Sequence, residues 1–485
     1  MIKGRNIYGS PQNLRSSNHP IKLSMQHFDA IVIGSGQGGT PLSKKLAKAG
    51  LKTALIEKRL VGGSCTNDGC TPTKTMIASA KMAHNIRRAK DLGINTGEFT
   101  VDIKKIVARK NEIVTSFRGS AEKGLAGTEN LTLVMGEASF TEMKTVAVQL
   151  KDGSTDIFTA EKIFINTGTA PRIPGIEGIE DYPYFTSTSL LDIEKIPGHL
   201  VIIGGGYIAL EFAQMFRRFG SEVTMIIAEP VFLPKEDDDI SSLIREIFQG
   251  EGIKVHLDAR AEKISSRGEG GFDLAVSTKA EMLTISGSDI LLAAGRVPQT
   301  NTLQLDRTGV TVNEKGFINV DEYLQTSVPG VYALGDVKGG PAFTHIAYND
   351  HIILVKNILK QLNLSIKGRP VPYTMFIDPQ LGRIGITEKE AQDLKLDYKV
   401  VTLAMDRVAR GIETGETNGM MKAIVDVKTK QILGAAILGA EGGEVMSVLQ
   451  MAMQGKITYE QIRENIFAHP LYTESLNNLF TQLVK

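Results

Sequence analysis

Twice in this chain a short apolar run leads through a glycine-spaced turn into a helical pattern. No other feature restricts the fold as much. The first copy, FDAIVIGSGQGGTPLSKKLAKAG from Phe28, contains Gly34-x-Gly36-x-x-Gly39. Gly34 allows the tight turn, Gly36 lets the backbone approach a pyrophosphate, and Gly39 lets helix pack on strand. The helix N-terminus offers free N–H groups and its positive dipole end to phosphate. The next strand, KTALIE, ends at Glu57, 23 residues after Gly34. A carboxylate there accepts ribose hydroxyls. The glycine spacing alone is weak; with strand before, helix after and an acid at that distance it is strong.

The second copy, HLVIIGGGYIALEFAQMFRRFGSEVTMII, has Gly204-x-Gly206-x-x-Ala209. The same offset lands on Ile227, so the ribose acid is missing, while Ala209 still permits close packing. A 2′-phosphate would meet less repulsion there. Yet positions 228 and 229 are Ala and Glu, and Lys235 is the nearest downstream cation. The second site is expected to take NADPH or NADH, with a slight lean to NADPH. Two such units predict an α/β fold with two Rossmann-like domains, and two cofactors that exchange electrons.

The 485 residues include two cysteines, and both fall in LVGGSCTNDGCTPTKTM, residues 60–76. A chain of this length, roughly three domains at about 150 residues each, builds its core without disulfide staples. Such cysteine usage does not resemble a secreted framework, so a cytoplasmic setting is expected, where a disulfide is a working part. Thr71 is expected as the N-cap of a helix through TKTMIASAKMAHNIRRA, with Pro72 at its first position. Cys70 then sits just before a helix start, where the dipole favours a thiolate. Five residues apart in a regular helix, the Cα atoms would be roughly 8–9 Å apart, beyond the ~7 Å limit of a disulfide. A loop holding Cys65 with Gly62, Gly63 and Gly69 relaxes that spacing. A bridge over so small a loop stabilises little, which favours a redox pair; two buried free thiols are the alternative.

The formal charge of +1, without a basic run, argues against a nucleic-acid partner. No apolar run approaches the ~18 residues of a membrane span. Residues 1–24 are polar, with four cations and no acid, and read as a disordered leader or an upstream start before Met25. Near the other end, FAHPLYTESLNNLF carries His469 and Glu474. An imidazole held by a carboxylate shuttles protons near neutral pH, although spacing alone does not single out one histidine among eight.

The segment Gly62-Gly63-Ser64-Cys65-x4-Cys70-x-Pro72-Thr73-Lys74 resembles the redox-disulfide signature of the class I pyridine nucleotide-disulfide oxidoreductases. These include dihydrolipoamide dehydrogenase, glutathione reductase and mercuric reductase. The resemblance runs from Phe28 to Leu483 and includes FINTGTAPRIPG (164–175), LLAAGRVPQTNTL (291–303) and GVYALGDV (330–337) in family order.

It implies FAD at the first fingerprint, with Glu57 on the adenosine ribose and Asp336 near the ribityl chain. Lys58, Gly63, Ser64 and Lys74, then Thr167, Gly168 and Gly335, join the implied cofactor-binding set. It implies NAD(P)H at Gly204, Gly206, Tyr207, Ile208 and Ala209, with Gly295 and Arg296. Cys70 would face the flavin and Cys65 would exchange with substrate, beside a Lys74–Glu211 ion pair. A homodimer is implied, with His469 and Glu474 of one subunit serving the cysteines of the other. Electrons would pass from nicotinamide to flavin, to the disulfide, and on to substrate.

The implied organisation is a split FAD domain (25–168 and 297–362), an inserted NAD(P) domain (169–296) and a dimerisation domain (363–485). His345 reads as part of a helix start, Arg217 and Arg218 as a solvated helix face (Arg218 within possible reach of a nucleotide phosphate), and KEDDD (235–239) as a charged loop or helix start. The expected substrate is a small disulfide or dithiol. A thiophilic metal ion is the alternative, although the sequence lacks the C-terminal cysteine pair and N-terminal Cys-x-x-Cys of mercuric reductases and keeps His469. A disulfide-independent oxidase or quinone reductase, and a flavoprotein that mainly binds nucleotide, are further readings.

Overall fold

The computed structural model describes residues 25–268 and 270–484; the reading of 1–24 as a leader lies outside them. β1 (Met25–Ile33), α1 (Gly39–Lys48) and β2 (Thr53–Glu57) form the first strand–turn–helix–strand unit. Both strands are buried on both faces over Ala30–Ile33 and Thr53–Glu57, as expected of a parallel sheet covered by helices. A one-turn helix α2 (Gly63–Asn67) leads into α3 (Cys70–Arg88), and α4 (Ile103–Ala126) packs beside it. β3 (Leu131–Glu142), β4 (Thr145–Leu150) and β5 (Thr155–Ile165) follow. β3, β2, β1 and β5 run parallel in that order, and β4 closes β3 to β5 as an antiparallel ribbon.

After a short β6 (Thr169–Pro171) a second parallel sheet begins with β7 (Phe185–Thr186) and β8 (His199–Ile203). α5 (Tyr207–Phe219), β9 (Glu222–Ile226), α6 (Asp238–Gly250) and β10 (Lys254–His256) extend it. An antiparallel trio intervenes: β11 (Arg260–Ser266), β12 (Phe272–Ser277) and β13 (Met282–Gly287). β14 (Asp289–Leu292) then completes the order β10-β9-β8-β14-β7. The chain returns by β15 (Arg296–Pro298), paired with β6, and β16 (Val331–Ala333) adds to β5 of the first sheet. The first sheet is thus interrupted in sequence by the second, and α7 (Thr344–Lys360) packs on α1.

The remainder is an antiparallel sheet in the order β17-β18-β21-β20-β19. Its strands in chain order are β17 (Tyr373–Met375), β18 (Gln380–Gly385), β19 (Tyr398–Ala404), β20 (Met420–Asp426) and β21 (Ile432–Gly439), with the short helices α8 (Glu388–Asp393) and α9 (Ala409–Thr414) between them. α10 (Gly442–Gln454), α11 (Tyr459–Arg463) and α12 (Ser475–Thr481) cover it, with Leu449, Leu476 and Phe480 fully buried. One apolar cluster joins α3, α5, the second sheet and the β17–β18 hairpin through Met76, Phe212, Phe216 and Met375. A cleft is lined by residues of all three units.

Candidate active site

The cleft has a volume of about 1000 Å³. Gly34, Gly36, Glu57 and Lys58 line it, as do Ser64, Cys65, Cys70 and Lys74. Thr167, Gly168, Arg296, Gly335 and Asp336 also line it, with Tyr207, Ile208 and Glu211 of the second unit. His469 and Glu474 are not on its lining.

The first fingerprint is built as its glycines require. Gly34 has φ +102°, and a Cβ there would sit 2.3 Å from the Asn166 carbonyl. A Cβ on Gly39 would meet the Gly34 carbonyl at 2.0 Å. The sequence did not reveal what holds this turn: Asn166 Oδ1 accepts from Gly39 N (2.7 Å), and its Nδ2 donates to Leu334 O (3.0 Å). Glu57 is buried, and it accepts from Ser35 N (3.0 Å), Ser35 Oγ (2.6 Å) and Arg59 N (2.8 Å). A carboxylate has about four acceptor sites, so it ties the turn together and keeps capacity for a ribose.

The residues fit an isoalloxazine dinucleotide. Thr167 Oγ1 is buried on the cleft wall without a hydrogen-bond partner. A polar atom orphaned in this way asks for a ligand. Gly63 and Gly36 pack backbone to backbone, since a Cβ on Gly63 would lie 2.6 Å from Gly36 Cα. Asp336 faces Thr169 Oγ1 at 3.4 Å, and burial raises its pKa against the pull of Arg296. At the second fingerprint, a Cβ on Gly204 would meet the Ala293 carbonyl at 2.3 Å, whereas Gly206 faces open space, as a close ligand approach requires. Ile227, in the place of the ribose acid, is 1% exposed and packs under Gly205.

The cysteines lie where two helices meet, and two expectations are corrected. Cys65 is on the one-turn helix α2 and not in a loop, and α3 begins at Cys70 itself, with Gly69 rather than Thr71 as its N-cap. Pro72 falls at the third helical position, which still lacks an intrahelical acceptor for an N–H, so proline costs nothing there. Gly69 lets the chain fold back: a Cβ on it would come within 3.0 Å of Ser64 O and 3.5 Å of Cys65 Cα. Both thiols are free, and each shifts the titration of the other.

Cys70 is exposed and lines the cleft. Its thiol pKa is lowered to about 6, first by the Cys65 hydrogen bond and then, against desolvation, by Thr344 and the Lys74 charge. Cys65 is pushed the other way by its hydrogen bond to Cys70 and by burial. Thr344 Oγ1 stands 3.4 Å from Cys70 Sγ, a contact from 274 residues away that no local pattern announces. Lys74 Nζ donates to Glu211 Oε2 at 2.7 Å, and Glu211 Oε1 accepts from Phe376 N at 3.0 Å. Lys74 also lies over the Phe376 ring.

His469 Nδ1 lies 3.0 Å from Glu474 Oε2, so the expected pair forms. His345 is the second residue of α7, as expected. Arg218 is not on a solvated face: it is 5% exposed and pairs with Glu251 (2.7 Å) and Asp378 (2.6 Å). It fills a buried joint and is not free for a phosphate. KEDDD does run into a helix start, at Asp238, but Glu236 and Asp237 within it are buried.

Fold and site together define a redox protein that sets a dithiol between two dinucleotide-binding α/β units. The profile described as pyridine nucleotide-disulphide oxidoreductase matches residues 28–350, and the dimerisation domain of the same family matches 371–480. The probable pyridine nucleotide-disulfide oxidoreductase RclA of Escherichia coli is 38% identical, over 95% of this chain and all of that one. A mercuric reductase of Lysinibacillus sphaericus is 31% identical, over 96% of this chain and 85% of its own length. The solved Cu(II) complex of the HOCl-induced flavoprotein disulfide reductase RclA from Escherichia coli superposes with a TM-score of 0.87 at 37% identity, covering 95% of this chain and all of that one. The chain belongs to the pyridine nucleotide-disulphide oxidoreductases. It is an FAD-dependent, NAD(P)H-linked enzyme that works through a cysteine pair. Among the described residues, no helix is long and apolar enough to cross a membrane.

Proposed function

We propose that the protein reduces a small disulfide, or a thiophilic metal ion, at the expense of NAD(P)H in the cytoplasm, as a homodimer. The observation that carries this is the placing of Cys65 and Cys70 together on the cleft lining at the N-terminus of α3, with Thr344 and the Lys74–Glu211 pair around the inner sulfur. FAD supplies the two-electron link between nicotinamide and dithiol. Gly34, Gly36, Glu57, Thr167 and Asp336 are the residues that would hold it, and Gly204, Gly206 and Arg296 those for the nicotinamide nucleotide.

The chain's own residues account for the sulfur steps. In the reduced pair His469 of the other subunit takes the Cys65 proton as that sulfur attacks a substrate sulfur, forming a mixed disulfide and releasing one thiolate. His469 of the other subunit, oriented by Glu474, protonates that leaving thiolate. Cys70 then attacks the Cys65 sulfur, expelling the second substrate thiolate and restoring the internal disulfide. Net, one disulfide and NAD(P)H with one proton become two thiols and NAD(P)⁺. Lys74 favours the Cys70 thiolate throughout, and Glu211 fixes Lys74.

A second reading has specific support: the related RclA was solved with Cu(II), and mercuric reductases are among the relatives. Soft thiolates suit such ions, and one dithiol would reduce two Cu(II) to two Cu(I). Ile227 removes the carboxylate that repels a 2′-phosphate, while exposed Glu229 opposes that gain, so NADPH is favoured only slightly. Steady-state assays with disulfides and with Cu(II) or Hg(II), in wild type and in Cys65→Ser, test the proposal. Loss of turnover with all these acceptors in Cys65→Ser is expected. Unchanged turnover would favour a disulfide-independent oxidase.

A further inference from the structure

One polar contact beside the cleft has no part in these steps. Tyr373, the first residue of β17, lines the cleft, and its Oη donates to Glu236 Oε1. Glu236 belongs to the second unit, just ahead of α6, so the bond joins that unit to the C-terminal sheet. Glu236 and Arg383 are both buried and lie 3.7 Å apart, yet Glu236 Oε2 and one Arg383 guanidinium nitrogen find no hydrogen-bond partner. Burial raises the pKa of both Glu236 and Tyr373. A half-satisfied buried group is costly, and apolar side chains often serve as well for stability alone. That points to a task beyond holding the fold.

The other side of the tyrosine ring shows where the anchor leads. It stacks on Phe343, with centroids 5.5 Å apart and planes at 9°. Phe343 also carries Tyr207 at 5.9 Å and His345 at 5.3 Å. His345 Nε2 lies 2.7 Å from the Pro372 carbonyl, tying the same turn to the residue before β17. The residue after Phe343 is Thr344, whose hydroxyl meets Cys70 Sγ.

We propose that Tyr373 is a positioning residue for Cys70: pinned by Glu236, it holds Phe343, and through it the Thr344 hydroxyl, against the sulfur. The seating of the nucleotide unit thereby helps set the thiolate. This deepens the function proposed above, and rests on Cys70 being the flavin-facing thiol.

The test uses the oxidised holoenzyme of Cys65→Ser without nucleotide, in which a Cys70 thiolate beside the flavin gives a long-wavelength charge-transfer band. Its amplitude is titrated against pH. The groups facing Cys70 (residue 65 on α2, Lys74 on α3, and Glu211 and Tyr207 on α5) stay the same in every variant compared. Added to that background, Thr344→Val should raise the midpoint by about one pH unit, the size of one hydrogen bond to a charged group. Tyr373→Phe should raise it by about half as much, and Tyr373→Phe/Thr344→Val no further than Thr344→Val, since coupled residues are not additive. If Tyr373→Phe fails to fold, Tyr373→Phe/Glu236→Gln keeps an amide oxygen facing Arg383 while the tyrosine hydroxyl is gone, and should give the same shift. A merely structural tyrosine would lower the melting temperature and leave the midpoint in place. An unmoved midpoint in either folded variant, or additive shifts, overturns the inference. No band in Cys65→Ser itself would instead contradict the assignment of Cys70 as the flavin-facing thiol.

Discussion

A thiol whose pKa is brought down to about 6 is largely ionised at neutral pH, and that has a consequence for stability. An unfolded cysteine titrates near 8.5. Between about 6 and 8.5 the unfolded reduced chain therefore binds the extra proton, and stability rises with pH. Below about 6 the gain from Cys70 is lost. Above 8.5 the direction reverses, because Cys65, raised by its bond to Cys70 and by burial, keeps its proton while the unfolded chain releases one. Urea unfolding of the reduced protein from pH 5 to 10 should show a maximum between these limits, and Cys70→Ser should flatten its acid side. Asn166 offers a second residue-scale prediction. Asn166→Ala leaves a buried Gly39 N–H without its acceptor, at a cost of about 1–3 kcal/mol, and should weaken FAD retention on dialysis. The cysteines and glycines were legible because their meaning lies in spacing along the chain. Asn166 and Thr344 were not, because their partners lie 127 and 274 residues away.

At the scale of elements, one face of α5 is a polar seam. Glu211 receives Phe376 N, Gln214 bonds both the amide and the carbonyl of Asp378, and Arg218 reaches the Asp378 carboxylate. From the other side α3 contributes Lys74 to Glu211, Lys81 to Asp378 and Arg87 to the Arg218 carbonyl. The helix that starts at Cys70, the helix of the second fingerprint and the β17–β18 hairpin are thus fastened together. Arg218→Ala would leave Asp378 and Glu251 facing each other with little water, and removing one partner of a buried pair costs about 3–5 kcal/mol. Lys263→Ala, at an exposed pair with Glu177, should cost under about 1 kcal/mol. Urea midpoints of the two variants check the contrast. From sequence Arg218 is expected on a solvated face, because an arginine pair near a helix C-terminus usually lies on one. Its partners come from a loop and a hairpin 33 and 160 residues downstream, which helix periodicity does not encode.

For the whole molecule, the order of motifs made the two-unit α/β architecture and its interruption readable. Each strand–turn–helix unit carries its own local signature, and β16 returns to the first sheet as the split organisation requires. The C-terminal sheet was less legible, because β18 pairs with β21 across the intervening β19 and β20. His469 is 68% exposed and absent from the cleft lining, which fits a site completed by a second subunit. Mixing Cys65→Ser with His469→Ala subunits should therefore restore about a quarter of wild-type disulfide turnover, since half of randomly formed dimers carry one intact site. No restoration would place both groups in one subunit.

The central claim is that electrons pass through the cysteine pair with Cys70 beside the flavin. Anaerobic reduction of the holoenzyme with NADPH, then with NADH, tests it most directly in the flavin spectrum. The account predicts a long-wavelength thiolate-to-flavin charge-transfer band in wild type and none in Cys70→Ser. Bleaching straight to reduced flavin, with no such band in wild type, would contradict it.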